Sequence, residues 1–364
     1  MSATSSHRSF YGLILVAPFL VTLLVFFVYA LIRALVYSFT DYNLFNEPEF
    51  VGLENFLGIL KDKLFVTAFF NTVLFAVIVT SLQTLLALGL AVVIGGNFFG
   101  KQFFRVAFYV PSILSSAAVT LVFIWFYQNN GFLNGFLSDL VSHRRSLWIL
   151  IAGFIFWWIA LVAIYALRGR AVNWFDPALL LLSGFLSLLL CWGLSGSEFT
   201  TAEEAVVSVN WLGTQEYFGP LPRTMWAIVL QNIFTTVPTF MLLFLAGVQG
   251  IPKDLYEAAT IDGASRWRQF LHITVPQLAP VTYVVVTFGV IGTLQMFDQV
   301  ALMGEAAPLE SRVTLAYYVY HSAFPPGGQP HVGIASASAL ILAAITLAVV
   351  YLQKLMGVRE KANG

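Results

Sequence analysis

Charge is what this chain has least of. Asp, Glu, Lys and Arg make up only 10% of its 364 residues, against about a quarter in a soluble globular domain, which excludes a water-facing surface wrapped around one large core. Formal net charge is zero, so no basic patch argues for nucleic acid. Cys191 is the only cysteine; one thiol excludes an intrachain disulfide and a cysteine-based metal cluster, and within its apolar run it reads as packing. The histidines at 7, 143, 272, 321 and 331 lack the H-x-x-x-H spacing of a zinc site. No G-x-S-x-G elbow occurs, and no carboxylate pair is placed for acid–base work, so an enzyme site has no support. "GGNFFGKQ" (95–102) satisfies G-x-x-x-x-G-K, but Gln102 stands where a phosphate loop needs Ser or Thr for magnesium, and the stretch joins two apolar runs rather than a strand and a helix. It reads as a turn carrying Lys101 and Arg105. Strand-type alternation, which a membrane barrel requires, is missing too.

What is present is oil: 59% of residues are hydrophobic. Apolar runs near the roughly twenty residues that cross a bilayer fall at about 10–32, 66–95, 103–127, 147–167, 177–194, 224–248, 272–297 and 333–353. The expectation is an all-α polytopic transmembrane bundle of about eight spans. Phe10–Ala30 follows Arg8 without an A-x-A cleavage site, so it reads as a retained membrane helix and not a secretory signal. Aromatic residues cluster at span ends, as in "FIWFYQNN" (123–130), where amphipathic rings suit the interface. An inside N-terminus puts Arg8, Lys101, Arg105, Arg168, Arg170, Lys253, Arg266, Arg268, Lys354, Arg359 and Lys361 on the cytoplasmic side, the majority of the 18 Lys and Arg. Arg144 and Arg145 are the local exception. The positive-inside bias thus predicts cytoplasmic N- and C-termini in the cell membrane.

This orientation makes "YEAATIDGASRWRQFLHITVPQLAP" (256–280) begin in a cytoplasmic loop between the sixth and seventh spans. A Lys or Arg at a bilayer centre costs roughly 2.5–3.5 kcal/mol, so Arg266 and Arg268 belong outside the hydrocarbon. Pro252 suits a helix N1 position, Lys253–Ile261 are adequate helix formers, Gly263 suits the turn ending that helix, and Ala264–Phe270 can resume it. Such an element is either a solvated connector or a docking surface. In the second case Ala258, Ala259 and Gly263 permit close approach, while Glu257 and Asp262 offer charge-assisted hydrogen bonds.

Polar residues also interrupt the spans. Ser112, Ser115 and Ser116 follow Pro111; Gln231, Asn232, Thr235, Thr236 and Thr239 accompany Pro238; Thr293, Gln295 and Asp298 close the seventh span around Met296 and Phe297. Such residues either line a path or bridge helices. Asn71 and Gln83 read as bridges.

The order Glu257-Ala258-Ala259, Gly263, Ile273, Val275, Pro276 resembles the signature of ABC importer permease subunits, with Val275 where that family more often has Leu. "SFTDYNLFNEPEFVGLENF" (38–56), "NTVLFAV" (71–77), "FRVAFYVPSILSS" (104–116) and "PTFMLLFLAGVQGIPKDLYEAATIDGASRW" (238–267) resemble the carbohydrate branch, of maltose and glycerol-phosphate type. The similarity covers about 1–137, a first part of the permease core, and 209–364, the rest of it with a coupling loop at about 252–272. Residues 138–208 depart from the pattern and read as an inserted transmembrane hairpin. The resemblance implies a second permease subunit, a cytoplasmic ATPase dimer that holds the ATP and magnesium (no cofactor in this chain), an extracytoplasmic solute-binding protein and a small-molecule solute such as a sugar, oligosaccharide or polyol derivative. It implies ATPase docking through Tyr256, Glu257, Ala258, Ala259, Asp262, Gly263 and Arg266, and a substrate path along Ser112, Ser116, Thr235, Thr239, Thr293, Gln295 and Met296. The alternatives are a permease for another solute class and a structural or regulatory membrane subunit that transports nothing. A secondary transporter would need an internal repeat or an intramembrane charge relay, and neither is visible.

Overall fold

The computed structural model describes residues 15–96, 101–167, 177–194 and 208–362. Residues 97–100, which carry most of the G-x-x-x-x-G-K match, and 168–176, with Arg168 and Arg170, lie outside them, as does Arg8. The described chain is helical apart from one two-stranded hairpin, β1 (Tyr217–Phe218) and β2 (Leu221–Pro222).

Among the described residues six helices are long and apolar enough to cross a membrane, against the eight runs read in the sequence. The first is α1 (Leu15–Tyr37), none of whose most apolar stretch is buried. The short α2 (Glu54–Lys61) leads through Asp62 into α3 (Lys63–Gly95). The expected third span is broken: α4 (Lys101–Ile113) contains Pro111 and gives way to α5 (Ser116–Tyr127), and Arg105–Ile113 meets the helical run starting at Ser116 at 99°. Pro111 removes a backbone donor, and the axis turns past it, at the break between Ile113 and Ser116. Counted as one bent span, the pair makes seven. After α6 (Phe132–Ser142) and α7 (Arg144–Leu167), α8 (Pro177–Gly193) has 17 residues. At 1.5 Å per residue that is about 26 Å, the low end of what crosses the hydrocarbon, so the expected fifth span is an apolar helix shorter than the six.

The chain divides into two compact units, Ile124–Trp211 and the remainder. In the smaller one, α7 and α8 pack where Gly153 faces Ser187, whose hydroxyl donates to the Leu150 carbonyl at 2.6 Å. Asn134 ties its two ends. The amide donates to the Asn129 and Val209 carbonyls and accepts from the Trp211 indole at 3.0 Å. Cys191 is half-buried.

In the larger unit α3 is the central post. It packs along α9 (Arg223–Gln249) and α12 (Ala279–Leu294). Lipid is as apolar as leucine, so close packing and interhelical hydrogen bonds hold such helices together. The sequence supplies both. Ala87 and Ala91 on α3 meet Val237, Met241, Phe244 and Leu245 of α9 in a fully packed cluster. Gln83 accepts from the Thr236 hydroxyl of α9 at 2.9 Å and lies against Gly289 of α12, where a Cβ would overlap its amide nitrogen.

Beyond α12 come α13 (Asp298–Met303), α14 (Leu309–Arg312), α15 (Leu315–Ala323) and the last long helix α16 (Val332–Ala362). α3 holds this region as well: Asn71 donates to the Val313 carbonyl at 3.0 Å, and the Thr72 hydroxyl accepts from the Leu315 amide at 2.8 Å. Asn71 and Gln83 are therefore bridges, as the sequence suggests. Tyr318 donates to Asp62 at 2.5 Å; its burial, and then that carboxylate, push the phenol well above its ordinary pKa.

Candidate functional site

Two features stand at opposite ends of the same pair of helices. The first is the connection from α9 to α12. Pro252, extended, precedes α10 (Lys253–Ile261), and Asp254 in its first turn complements the helix dipole. At the other end Gly263 takes φ +74°, its amide donates to the Thr260 carbonyl at 3.1 Å, and the Ala264 amide donates to Ala259 at 2.8 Å. This is the paired-bond helix stop that favours glycine. Ser265 then caps α11 (Arg266–Gln269), which runs into a wide turn over Phe270–Thr274. Gln269 donates to the Thr260 hydroxyl at 2.9 Å and to the Ala264 carbonyl at 3.2 Å, locking the two short helices together. Tyr256 and Thr274 share a hydroxyl–hydroxyl bond of 2.8 Å, and Tyr256 and Ile273 pack against the α3–α9 cluster. The segment is rooted on one side only.

On the other side no described residue covers it. No residue of α10 is buried. Ile261 is 87% exposed and Trp267 65%. Glu257, Ala258, Asp262, Gly263 and Arg266 are exposed as well, with Ala259 half-buried. Among the described residues the carboxylates of Glu257 and Asp262 make no hydrogen bond or ion pair. Ala259, Ala264, Arg268, Gln269, His272 and Ile273 line a concavity of about 370 Å³ beside them. Two clamped helices thus present an apolar tip, two free carboxylates and a basic rim.

The second feature is a pair of cavities where α4, α5, α9 and the start of α13 converge. One, of about 290 Å³, is bordered by Ser112, Ser116, Gln231, Thr235, Thr239 and Gln299, among others. The other, of about 200 Å³, is bordered by Ser116, Asn232, Gln295, Met296, Asp298 and Gln299, among others. Ser116 and Gln299 border both. Of the seven residues the sequence suggests for a path, the structure brings Ser112, Ser116, Thr235 and Thr239 to the first cavity, and Ser116, Gln295 and Met296 to the second. Thr293 reaches neither. Its hydroxyl donates to the Gly289 carbonyl at 2.8 Å and lies 3.3 Å from the Thr80 hydroxyl, inside the α3–α12 contact.

Five polar wall residues, Gln231, Asn232, Thr236, Asp298 and Gln299, escape the sequence-derived set. Gln231 and Asn232 are polar positions in a span, indistinguishable in sequence from helix-bridging residues. Gln299 lies just past the end of α12, in the first turn of α13. Cross-helix bonds set the wall: the Thr120 hydroxyl donates to the Ser116 carbonyl at 2.8 Å and accepts from Gln231 at 2.6 Å, and Asn232 donates to Gln299 at 3.3 Å.

Comparison with known proteins agrees with this architecture. Residues 177–360 match the family described as "Binding-protein-dependent transport system inner membrane component". Over 339 residues the chain is 26% identical to a probable starch degradation products transport system permease protein of Thermoanaerobacterium thermosulfurigenes, covering 93% of this chain and 91% of that one. It is 27% identical over 349 residues to a trehalose/maltose transport system permease protein of Thermococcus litoralis, covering 94% and 92%. A bacterial alginate ABC transporter, solved in complex with an alginate pentasaccharide-bound periplasmic protein, contains a chain of the same fold. That match has a TM-score of 0.70 and 18% identity, and covers 98% of this chain and 96% of that chain. Matched over half its length by the family model, and built as a multi-pass helical membrane protein, this chain belongs to the family of binding-protein-dependent transport system inner membrane components.

Proposed function

We propose that this chain is the permease subunit of an ATP-driven importer for a sugar or oligosaccharide, and that the α10–α11 segment is where a separate ATPase grips it. The observation that carries the reading is mechanical. α9 holds Gln231, Thr235 and Thr239 at the cavities and runs unbroken to Gln249, at the root of the exposed segment. From Thr239 to Gln249 is about 15 Å of helix. α12 leaves the other root and ends beside Gln295 and Met296 at the second cavity. A force on α10–α11 is therefore delivered by two rigid helices to both cavity walls.

In this reading Glu257 and Asp262 make charge-assisted bonds to the ATPase, the Gly263 turn sets the angle between the short helices, and Arg266 and Arg268 lie in the cytosol with both chain termini. ATP and magnesium are held by the ATPase dimer. A second permease subunit completes the path, and an external binding protein delivers the solute. The carbohydrate reading rests on the names of the starch-product and trehalose/maltose relatives and on walls that mix hydroxyls and amides with apolar faces such as Phe240 and Met296.

The test is Glu257→Ala in the assembled importer. Uptake is expected to fall by roughly tenfold or more, the loss of one strong charged contact, with ATPase co-purification weakened and membrane insertion intact. Normal uptake together with normal co-purification would remove the docking assignment.

A further inference from the structure

The fold leaves the charge of the solute open, since an alginate transporter shares it, but the side chains at the cavities do not. Gln231 is fully buried. The Thr120 hydroxyl gives its only proton to the Ser116 carbonyl, so it must accept from the Gln231 amide nitrogen; this orients the amide and leaves Oε1 buried without a partner. Asn232, 9% exposed, gives its nitrogen to Gln299 and likewise leaves Oδ1 buried and unpartnered. A buried acceptor without a donor is costly, and these two sit side by side, one bordering each cavity.

The formal charge has the same sign. Among the described residues bordering either cavity there is no Lys, Arg or His, and Asp298 is the one charged side chain. It is exposed, and its carboxylate has no hydrogen bond or ion pair among the described residues. Arg312, the buried cation that follows, borders neither cavity. Its guanidinium is committed to the Val300 carbonyl at 2.8 Å and the Ala307 carbonyl at 3.2 Å, and lies over the Tyr317 ring.

We propose that this acceptor-rich, cation-free junction confines the transported solute to uncharged hydroxyl donors, and that Asp298 is the residue that turns acidic glycans away. Sugar hydroxyls can donate to Gln231 and Asn232. The ionised group of a uronate, sulfonate or phosphate has no proton to give them, and its negative charge is repelled by Asp298. The inference rests on the cavities being the solute path.

The experiment uses the importer with both permease subunits and its ATPase in nanodiscs, with the binding protein left out so that the cavity does the selecting. Equilibrium binding is measured for a glucose trisaccharide and for its counterpart carrying a terminal glucuronate. The wild-type complex is expected to prefer the neutral sugar by about tenfold or more, a difference of about 1.4 kcal/mol. Asp298→Asn should shrink that ratio and Asp298→Lys should invert it. Equal binding of the two sugars, or a ratio unmoved in both variants, overturns the inference alone. Binding of neither sugar by a complex that still hydrolyses ATP overturns the path reading, and the inference with it.

Discussion

Helix α9 and the segment that follows it use similar polar residues in opposite ways. On α9, Gln231, Asn232 and Thr236 are committed across helix boundaries to Thr120, Gln299 and Gln83. Twenty-odd residues later, Glu257 and Asp262 are held on a well-capped, cross-braced scaffold and bond to nothing among the described residues. The first pattern is that of a part packed against its own chain. The second is that of a rigid surface kept free for another chain. Order without partners separates a docking element from a flexible connector.

The largest break in this comparison comes from the scaffold. Gly263→Pro cannot take φ +74°, because proline fixes φ near −65°. Uptake is expected to fall to background with the protein still inserted, as read by transport in proteoliposomes. Next is Thr239→Trp, which fills the cavity of about 290 Å³. It should cut uptake by roughly tenfold or more and leave ATPase co-purification unchanged, separating path from docking. Gly289→Val, driven against Gln83 and Thr80, should lower thermal stability of the purified complex by an amount of about 1–3 kcal/mol. The smallest effect belongs to Thr293→Val. Loss of one hydroxyl bond costs at most about 1.5 kcal/mol, and solute binding should stay at the wild-type value. A changed solute affinity there would place Thr293 on the path after all.

The docking segment is legible in the sequence because its signals are local: a proline before the helix, a glycine at the stop, good helix formers between them. The long spans are legible from apolar length for the same reason. The cavity is only partly so. Hydropathy marks α12 as a span but not which side meets α3. Thr293 therefore looks equivalent to Gln295 and Met296, although it lies one turn after Gly289 on the face packed against Gln83 and Thr80. Gln299 joins the wall only through tertiary proximity. Pro111 signals a disturbance, whereas the 99° bend just after it depends on what the two halves pack against.

The most direct test of the account puts a photo-crosslinking residue at Ile261, the exposed tip of α10, in the assembled importer. The account predicts an adduct with the ATPase chain whose yield changes between the nucleotide-free and ATP-bound complex. An adduct formed only with reagents or proteins on the outer face, or none with any nucleotide hydrolase, would contradict it.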